Sequence, residues 1–457
     1  MNVNIGIMGH VDSGKTSLAR MISVGSTASF DKLPQSRERG ITLDLGFSYT
    51  EFKQSAEGPA VQATFVDCPG HASLIQCIIG GSQIMDLIIL VVDAVKGIQS
   101  QTTESVILAE LTVKSIIVVI NKIDLLDENQ ISKCTSVLRK ALRTTKFPNA
   151  PVIAVSTISG QGIDKLLRTI HKEIKVQNRS SEGDFIFAVD HCFSLKGKGT
   201  ILTGTCLQGN IGINEKISVL GKITESKIRS IQIFKQPVDR IHQGDRAAIC
   251  TSGLDPRGIE RCLVCSPGAV SAKNRVFILA SKVRHFSAAI QSQSRFSFVV
   301  GYETVHGTCL FLSKESSDYR IVDFSSQQSL CYIILDRSMY IHKETLIVAL
   351  RDKGCRIVFS GKQITEIPSR AFREKEKRGI VERINKENEI ICKELLNKNN
   401  LPSFIGYKVE VRNEQGTIIG PFGQSGRCKI TIKTDSLRVG DSVVMKIRKY
   451  QCLDVPG

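Results

Sequence analysis

Apolar and polar positions change their period along the chain. Up to about residue 176, apolar runs at 3–8, 61–66, 115–120 and 151–155 alternate with stretches of helical spacing at 16–23, 73–83, 101–111 and 131–142. Continuous apolar runs suit strands covered on both faces, and their alternation with helices predicts an open α/β sheet. The polar stretch 176–184 reads as a linker. Beyond it the period falls to two. Residues 185–190, 199–205, 215–220 and 227–233 are short strands between glycine-containing turns, which predicts a small antiparallel barrel. A second barrel is expected over about 272–365, with strands at 295–300, 308–312, 330–335 and 346–349. The charged stretch 368–378 reads as a further boundary, a charged linker. After it, strands are expected at 379–384, 389–396, 408–412, 428–433 and 442–448. Residues 389–397 also fit a helix, and strand is preferred.

The first apolar run leads into Gly9-His10-Val11-Asp12-Ser13-Gly14-Lys15-Thr16, an eight-residue phosphate-binding pattern followed by Ser17. Backbone N–H groups on such a glycine-rich turn, together with a helix N-terminus, form a nest for phosphate oxygens. Lys15 would reach the β/γ oxygens and the Thr16 hydroxyl would ligate Mg²⁺. Asp67-Cys68-Pro69-Gly70 ends the second run, placing a carboxylate where it can hold Mg²⁺ through water and a glycine N–H near the γ-phosphate. Asn121-Lys122-Ile123-Asp124 ends the third. The Asp124 carboxylate can accept from guanine N1–H and its 2-amino group, which adenine lacks. Ser156, in Ser156-Thr157-Ile158-Ser159, fits the loop that closes over the base. The nucleotide is therefore expected to be GTP or GDP. The expected fold is multidomain: an α/β P-loop GTPase domain at 1–178, then β-barrel domains at 183–270, 271–367 and 379–457.

A chain of 457 residues is too long for one core and suggests roughly three domains. It has no run of about 18 apolar residues, and residues 1–15 lack the pattern of an export signal, so a cytoplasmic location without membrane contact is expected. Fourteen scattered cysteines suit reduced thiols. Cys262 and Cys265 form a lone CxxC inside an apolar run and read as buried thiols. The net charge of +17 is uneven, at +5 over 1–270 and +12 over 271–457. That bias suggests a polyanionic partner such as RNA; the plainer alternative is a soluble basic surface.

With the nucleotide motifs placed, Arg37-Glu38-Arg39-Gly40-Ile41-Thr42-Leu43-Asp44 and Asp67-Cys68-Pro69-Gly70-His71 resemble the translational GTPases of the elongation factor Tu class. Within that class the chain resembles the archaeal/eukaryotic selenocysteine-specific elongation factors. The matches are Phe30-Asp31-Lys32 through 36–47, Val189-Asp190-His191-Cys192-Phe193, and Phe422-Gly423-Gln424-Ser425-Gly426. The likeness is weak from about 315 to 378. It implies that Thr42 closes on Mg²⁺ and the γ-phosphate, that Gly70 is a switch pivot, and that His71 orients the attacking water. Val11 and Ile41 resemble an apolar gate restraining His71; simple packing is the alternative. The implied catalytic group is His71, Thr42 and Lys15.

The resemblance also implies a selenocysteine pocket at Phe47, Asp190, His191 and Arg246. His191 and Arg246 would supply positive charge, Asp190 would orient them, and Phe47 would form a wall. A selenol is more acidic than a thiol, whose free pKa is ~8.5, so it enters as an anion that serine cannot mimic. On the residues alone, Asp190-His191 is equally an ordinary strand end and Arg246 a barrel salt bridge. The implied partners are selenocysteinyl-tRNA, the ribosome and, through the C-terminal domain, the recoding-signal RNA or its binding protein. The alternatives are a general elongation factor, the GTPase subunit of an initiation factor, or a non-catalytic RNA-binding switch. The general factor ends after two barrels and offers no counterpart to 379–457.

Overall fold

The computed structural model describes residues 2–28, 45–53, 60–70, 75–174, 179, 182–195, 197–221, 225–259, 261–316, 318–324, 327–351, 356–365, 368–385, 388–423, 425–433 and 437–453. The chain forms two compact units. One comprises residues 1–288, 295–308 and 334–363; the other comprises 289–294, 309–333 and 364–457. No helix among the described residues is long and apolar enough to cross a membrane.

The first unit opens with the expected α/β sheet. Its strands are β1 (Asn2–Gly9), β2 (Gly25–Ala28), β3 (Gly46–Lys53), β4 (Ala60–Asp67), β5 (Leu87–Asp93), β6 (Ile116–Asn121) and β7 (Val152–Ala154). They are ordered β2-β3-β4-β1-β5-β6-β7. β4, β1, β5, β6 and β7 run parallel, and β3 is antiparallel to β4. The apolar runs are explained by cover on both faces. Ile88, Leu90 and Val92 of β5 enter one core, while Leu87, Ile89 and Val91 enter the other.

Five helices flank this sheet among the described residues: α1 (Lys15–Ile22), α2 (Ile75–Ser82), α3 (Ser100–Thr112), α4 (Glu128–Leu142) and α5 (Ile163–Glu173). α4 starts three residues before the expected 131. Asp127 caps it, accepting from Gln130 N–H at 2.8 Å, while Gln130 Oε1 accepts from Asp127 N–H at 3.0 Å. α5, not anticipated above, buries Ile163, Leu166 and Ile170 against the core that holds Leu18 and Ile22 of α1. β1 pairs with β4 on one side and β5 on the other, so the carboxyl end of β1 opens onto a switch point, where α/β sheets bind ligands.

A closed antiparallel barrel follows, through β8 (Ile186–Leu195) and β9 (Gly199–Gln208) and the strands Lys216–Val219, Glu225–Ile233, Arg246–Thr251 and Leu263–Cys265. Pairing of Lys216–Val219 with Glu225–Ile233 closes it. Cys265 lies inside, and burial pushes its thiol up to about 11, as suits an inert core residue. The unit also contains the strands Ala272–Lys282, Arg295–Val300, Leu346–Leu350 and Ile357–Lys362.

In the second unit, Arg370–Asn385, Glu389–Lys393, Arg427–Ile432, Glu414–Phe422, Lys408–Val411 and Ser442–Cys452 pair in that order and close between first and last. Residues 389–393 are strand, as preferred. One expectation is corrected. The charged stretch 368–378 is no linker, because Arg370–Asn385 is a single strand through most of it, paired with Ser442–Cys452 from Arg370↔Cys452 to Ile380↔Ser442. Its charges sit at half-buried and exposed positions, so a paired strand here reads in sequence as a polar connector. The unit includes the strand Asp318–Val322, where Arg320 pairs in parallel with Phe372. Asp318 accepts from Arg370 at 3.2 Å and from the Tyr450 hydroxyl at 3.0 Å.

Candidate functional site: a nucleotide loop and a buried cationic cluster

The loop from the carboxyl end of β1 turns into α1 at Gly14, whose φ of +90° is left-handed. No side chain caps α1, which leaves its first N–H groups open to an anion. Asp12 also adopts positive φ, at 60°, and both Asp12 and Ser17 are exposed. Lys15 is buried, and its Nζ donates to the His10 carbonyl at 2.7 Å. Burial lowers its pKa, against the raising effect of Asp67. A cation held in so poor a solvent favours an anionic partner. Ser13 Oγ is buried with no partner among the described residues, so the loop keeps a spare donor facing no competitor.

Gly70 at the end of the second motif is drawn tightly against this loop. A Cβ there would lie 2.4 Å from Lys15 Nζ and 3.2 Å from the Val11 backbone, so any larger residue would displace the Lys15 amine from the loop. The Thr16 hydroxyl donates to Asp67 Oδ2 at 2.6 Å. Mg²⁺ bound with a nucleotide takes one or two protein oxygens and fills its octahedron with phosphate and water. The Thr16–Asp67 pair of hard oxygens fits that need.

Three loops meet at Asn121. Its Nδ2 donates to the Ser13 carbonyl at 2.9 Å, and its Oδ1 accepts from Thr157 N–H at 3.2 Å. Lys122, at φ 68°, pairs with Asp93 at 2.8 Å. Ser156 Oγ donates to Asp124 Oδ1 at 2.5 Å and accepts from the N–H groups of Ile158 and Ser159. The carboxylate is thus oriented but exposed. Gly9, Asp12, Ser13, Gly14, Lys15, Thr16, Asp67, Gly70, Asn121, Lys122, Asp124 and Ser156 all lie at the carboxyl ends of β1, β4, β6 and β7: on the last residue of a strand, on the loop after it, or in the first turn of α1. Ile41, Thr42 and His71 lie outside the described residues.

The second cluster joins β3 to the first barrel. The Arg246 guanidinium lies over the Phe47 ring, 3.3 Å from its centroid, and Nη1 donates to Asp190 Oδ2. The Arg246 and Asp190 side chains are only 7% and 4% exposed, so this is a buried ion pair. Asp190 falls at an irregularity in the β8–β9 register between Val189 and His191. His191 is half-buried, and its backbone carbonyl accepts from Thr203 Oγ1 at 3.4 Å. Asp190 thus balances the Arg246 charge at the start of the barrel.

Two residues here were not foreseen. Tyr302 OH lies 3.5 Å from Asp190 Oδ1, and burial followed by the Asp190 charge pushes the phenol's pKa far up, keeping it a neutral donor. Gln101 of α3 accepts from Val11 N–H at 3.0 Å. Neither lies in a recognisable motif, and a single tyrosine or glutamine carries no positional signal in sequence.

The description "Elongation factor Tu GTP binding domain" matches residues 1–176, and "eEFSec C-terminal RIFT domain" matches 369–451. The chain is 36% identical to the selenocysteine-specific elongation factor of Mus musculus over 94% of its own length and 88% of that protein. It is 30% identical to the selenocysteine-specific elongation factor of Methanocaldococcus jannaschii over 98% of each. Its fold is similar to that of the translation elongation factor SelB of Methanococcus maripaludis, solved in complex with the GTP analogue GppNHp, with a TM-score of 0.82, 25% identity and 98% of each chain covered.

Proposed function

We propose, because this chain belongs to the family of selenocysteine-specific elongation factors and is a translational GTPase, that its GTP form binds selenocysteinyl-tRNA and delivers it to the ribosome at recoded UGA codons. GTP hydrolysis would follow codon recognition and release the tRNA. Lys15 and the N–H groups at the start of α1 hold the phosphates, and Asp124, aligned by Ser156, reads guanine. Mg²⁺, when bound, would offset charge on the β- and γ-phosphates, held by Thr16, Asp67 and Thr42. His71 orients the attacking water, and Val11 and Ile41 restrain it until the ribosome engages. The location that goes with this work is the cytoplasm.

The observation that carries the amino-acid specificity is the buried Arg246–Asp190 pair over Phe47. A selenolate entering beside it competes with Asp190 for the guanidinium, with His191 available to add a donor. A neutral serine side chain cannot compete with a carboxylate for that charge. The C-terminal barrel would contact the recoding-signal RNA or its binding protein. Dissociation constants for selenocysteinyl-tRNA and seryl-tRNA in the GTP-like state test the reading. A tenfold or greater preference for the selenocysteinyl form is expected, and equal affinities would refute it.

A further inference from the structure

α3 carries two side chains on one face, three residues apart, that reach in different directions. Gln101 Oε1 accepts from Val11 N–H at 3.0 Å, inside the phosphate loop. Glu104 receives both ends of the Arg356 guanidinium, with Nε donating to Oε1 at 2.7 Å and Nη2 donating to Oε2. These side chains are only 20% and 17% exposed, so the pair is well shielded from water and salt. Arg356 immediately precedes the strand Ile357–Lys362, far in sequence from the nucleotide motifs. A small cavity of about 10 Å³, room for about one water, is lined by Gly9, Pro69, Gly70, Gln101, Glu104 and Arg356, among others. The ion pair and the nucleotide loop therefore share one wall.

We propose that Arg356 is a positioning residue for the GTP site: through Glu104 it fixes α3, and through Gln101 α3 fixes the Val11 backbone in its phosphate-binding conformation. The physical basis is rigidity. Gln101 and Glu104 sit at i and i+3 on one helix, so a bidentate hold on the second restrains the rotation and slide of the first. The Val11 N–H belongs to the loop whose successive N–H groups bind phosphate, and its direction depends on the peptide plane that Gln101 holds. Linkage makes the coupling reciprocal. Nucleotide that orders Val11 must tighten the Arg356–Glu104 pair by the same factor, so the strand after Arg356 responds to occupancy of the GTP site.

The test measures dissociation of a fluorescent GTP analogue from the full-length protein by stopped flow, well below the melting temperature. Arg356→Met and Gln101→Ala are each expected to speed dissociation about 5-fold or more, the lower end of ordinary site-to-site coupling. Because one relay is removed twice, the double variant should be no faster than Gln101→Ala alone. If Arg356→Met fails to fold, Arg356→Lys replaces it in the same cycle: it keeps the charge, loses the two-pronged hold, and should speed dissociation only when Gln101 is present. A lowered melting temperature with unchanged dissociation would make the pair a purely structural bridge and overturn the proposal. Multiplicative effects of the two substitutions would overturn the relay through Gln101.

Discussion

The side-chain amide of Asn121 donates to the carbonyl of Ser13 at 2.9 Å, joining loops 108 residues apart in sequence. One buried amide thus sets the distance between the part of the site that holds phosphate and the part that reads the base. A Cβ on Gly14 would lie 2.1 Å from the same Asn121 nitrogen, so the contact is as close as the backbone permits. Asn121→Ala removes the tie and strands the Ser13 carbonyl. Losing a buried partner costs about 1–3 kcal/mol, and nucleotide affinity should fall roughly 5- to 150-fold. GTP and GDP should weaken alike, which titration calorimetry with each would show.

Asp124→Asn is expected to move preference from guanosine to xanthosine nucleotides, because the amide can donate where xanthine carries an acceptor. One charge-assisted bond is worth ~1.5–3 kcal/mol, so GTP binding should weaken by about 10- to 150-fold. The carboxylate is exposed, so on this reading the selectivity would come from the base burying it. Competition between GTP and XTP for the variant checks the exchange; unchanged selectivity would remove Asp124 from base reading.

Arg246→Ala should weaken selenocysteinyl-tRNA by about 10- to 150-fold, the worth of one charge-assisted bond, and leave seryl-tRNA nearly as it was. The structure adds a cost. The substitution also abandons the Asp190 carboxylate in the interior, so the variant should unfold more easily. Asp190→Asn paired with Arg246→Ala relieves that carboxylate and should recover stability without recovering selenocysteine preference. Equal losses for both aminoacylated tRNAs would assign Arg246 to the barrel alone.

Gly80→Ala should destabilise the protein more than Tyr302→Phe. A Cβ on Gly80 would meet Tyr302 Cδ1 at 2.5 Å, and such overpacking costs about 1–3 kcal/mol. The hydroxyl that Tyr302→Phe removes sits 3.5 Å from Asp190, too far for a full-strength bond. Urea denaturation of both variants gives the order.

Stability should depend on Asp93 at low pH. Burial pushes its carboxyl up, but hydrogen bonds from Lys122 and from the N–H groups of Lys96 and Val95 outweigh this and hold it below the usual range. A folded pKa below the unfolded value of ~3.9 gives stability that is fully present above that value and lost as pH falls through the lower folded value. The stability gap between the native protein and Asp93→Asn should therefore narrow as pH drops from 6 towards 3, measured by urea midpoints. A constant gap would mean that Asp93 acts through packing alone.

The GTPase domain was legible because its chemistry is local: each loop motif follows an apolar strand, and strand ends collect the motifs on one edge. Fold class followed from the change of period at about 185. What sequence could not supply was partnership at a distance. Nothing near Arg356 announces Glu104, and nothing near Tyr302 announces Asp190, because the members of each pair are 252 and 112 residues apart and meet only through the tertiary fold. Charge misled the reading at 368–378, where a solvated strand and a linker share one composition.

That strand, Arg370–Asn385, has a mechanical meaning. A flexible tether passes on only tension, and only when taut. A strand paired along eleven positions with Ser442–Cys452, and pinned to Asp318 through both Arg370 and Tyr450, also resists twisting and sliding. To slide that strand along its own axis, its whole ladder with Ser442–Cys452 and both ties to Asp318 would have to break together, which a linker of the same composition would never require.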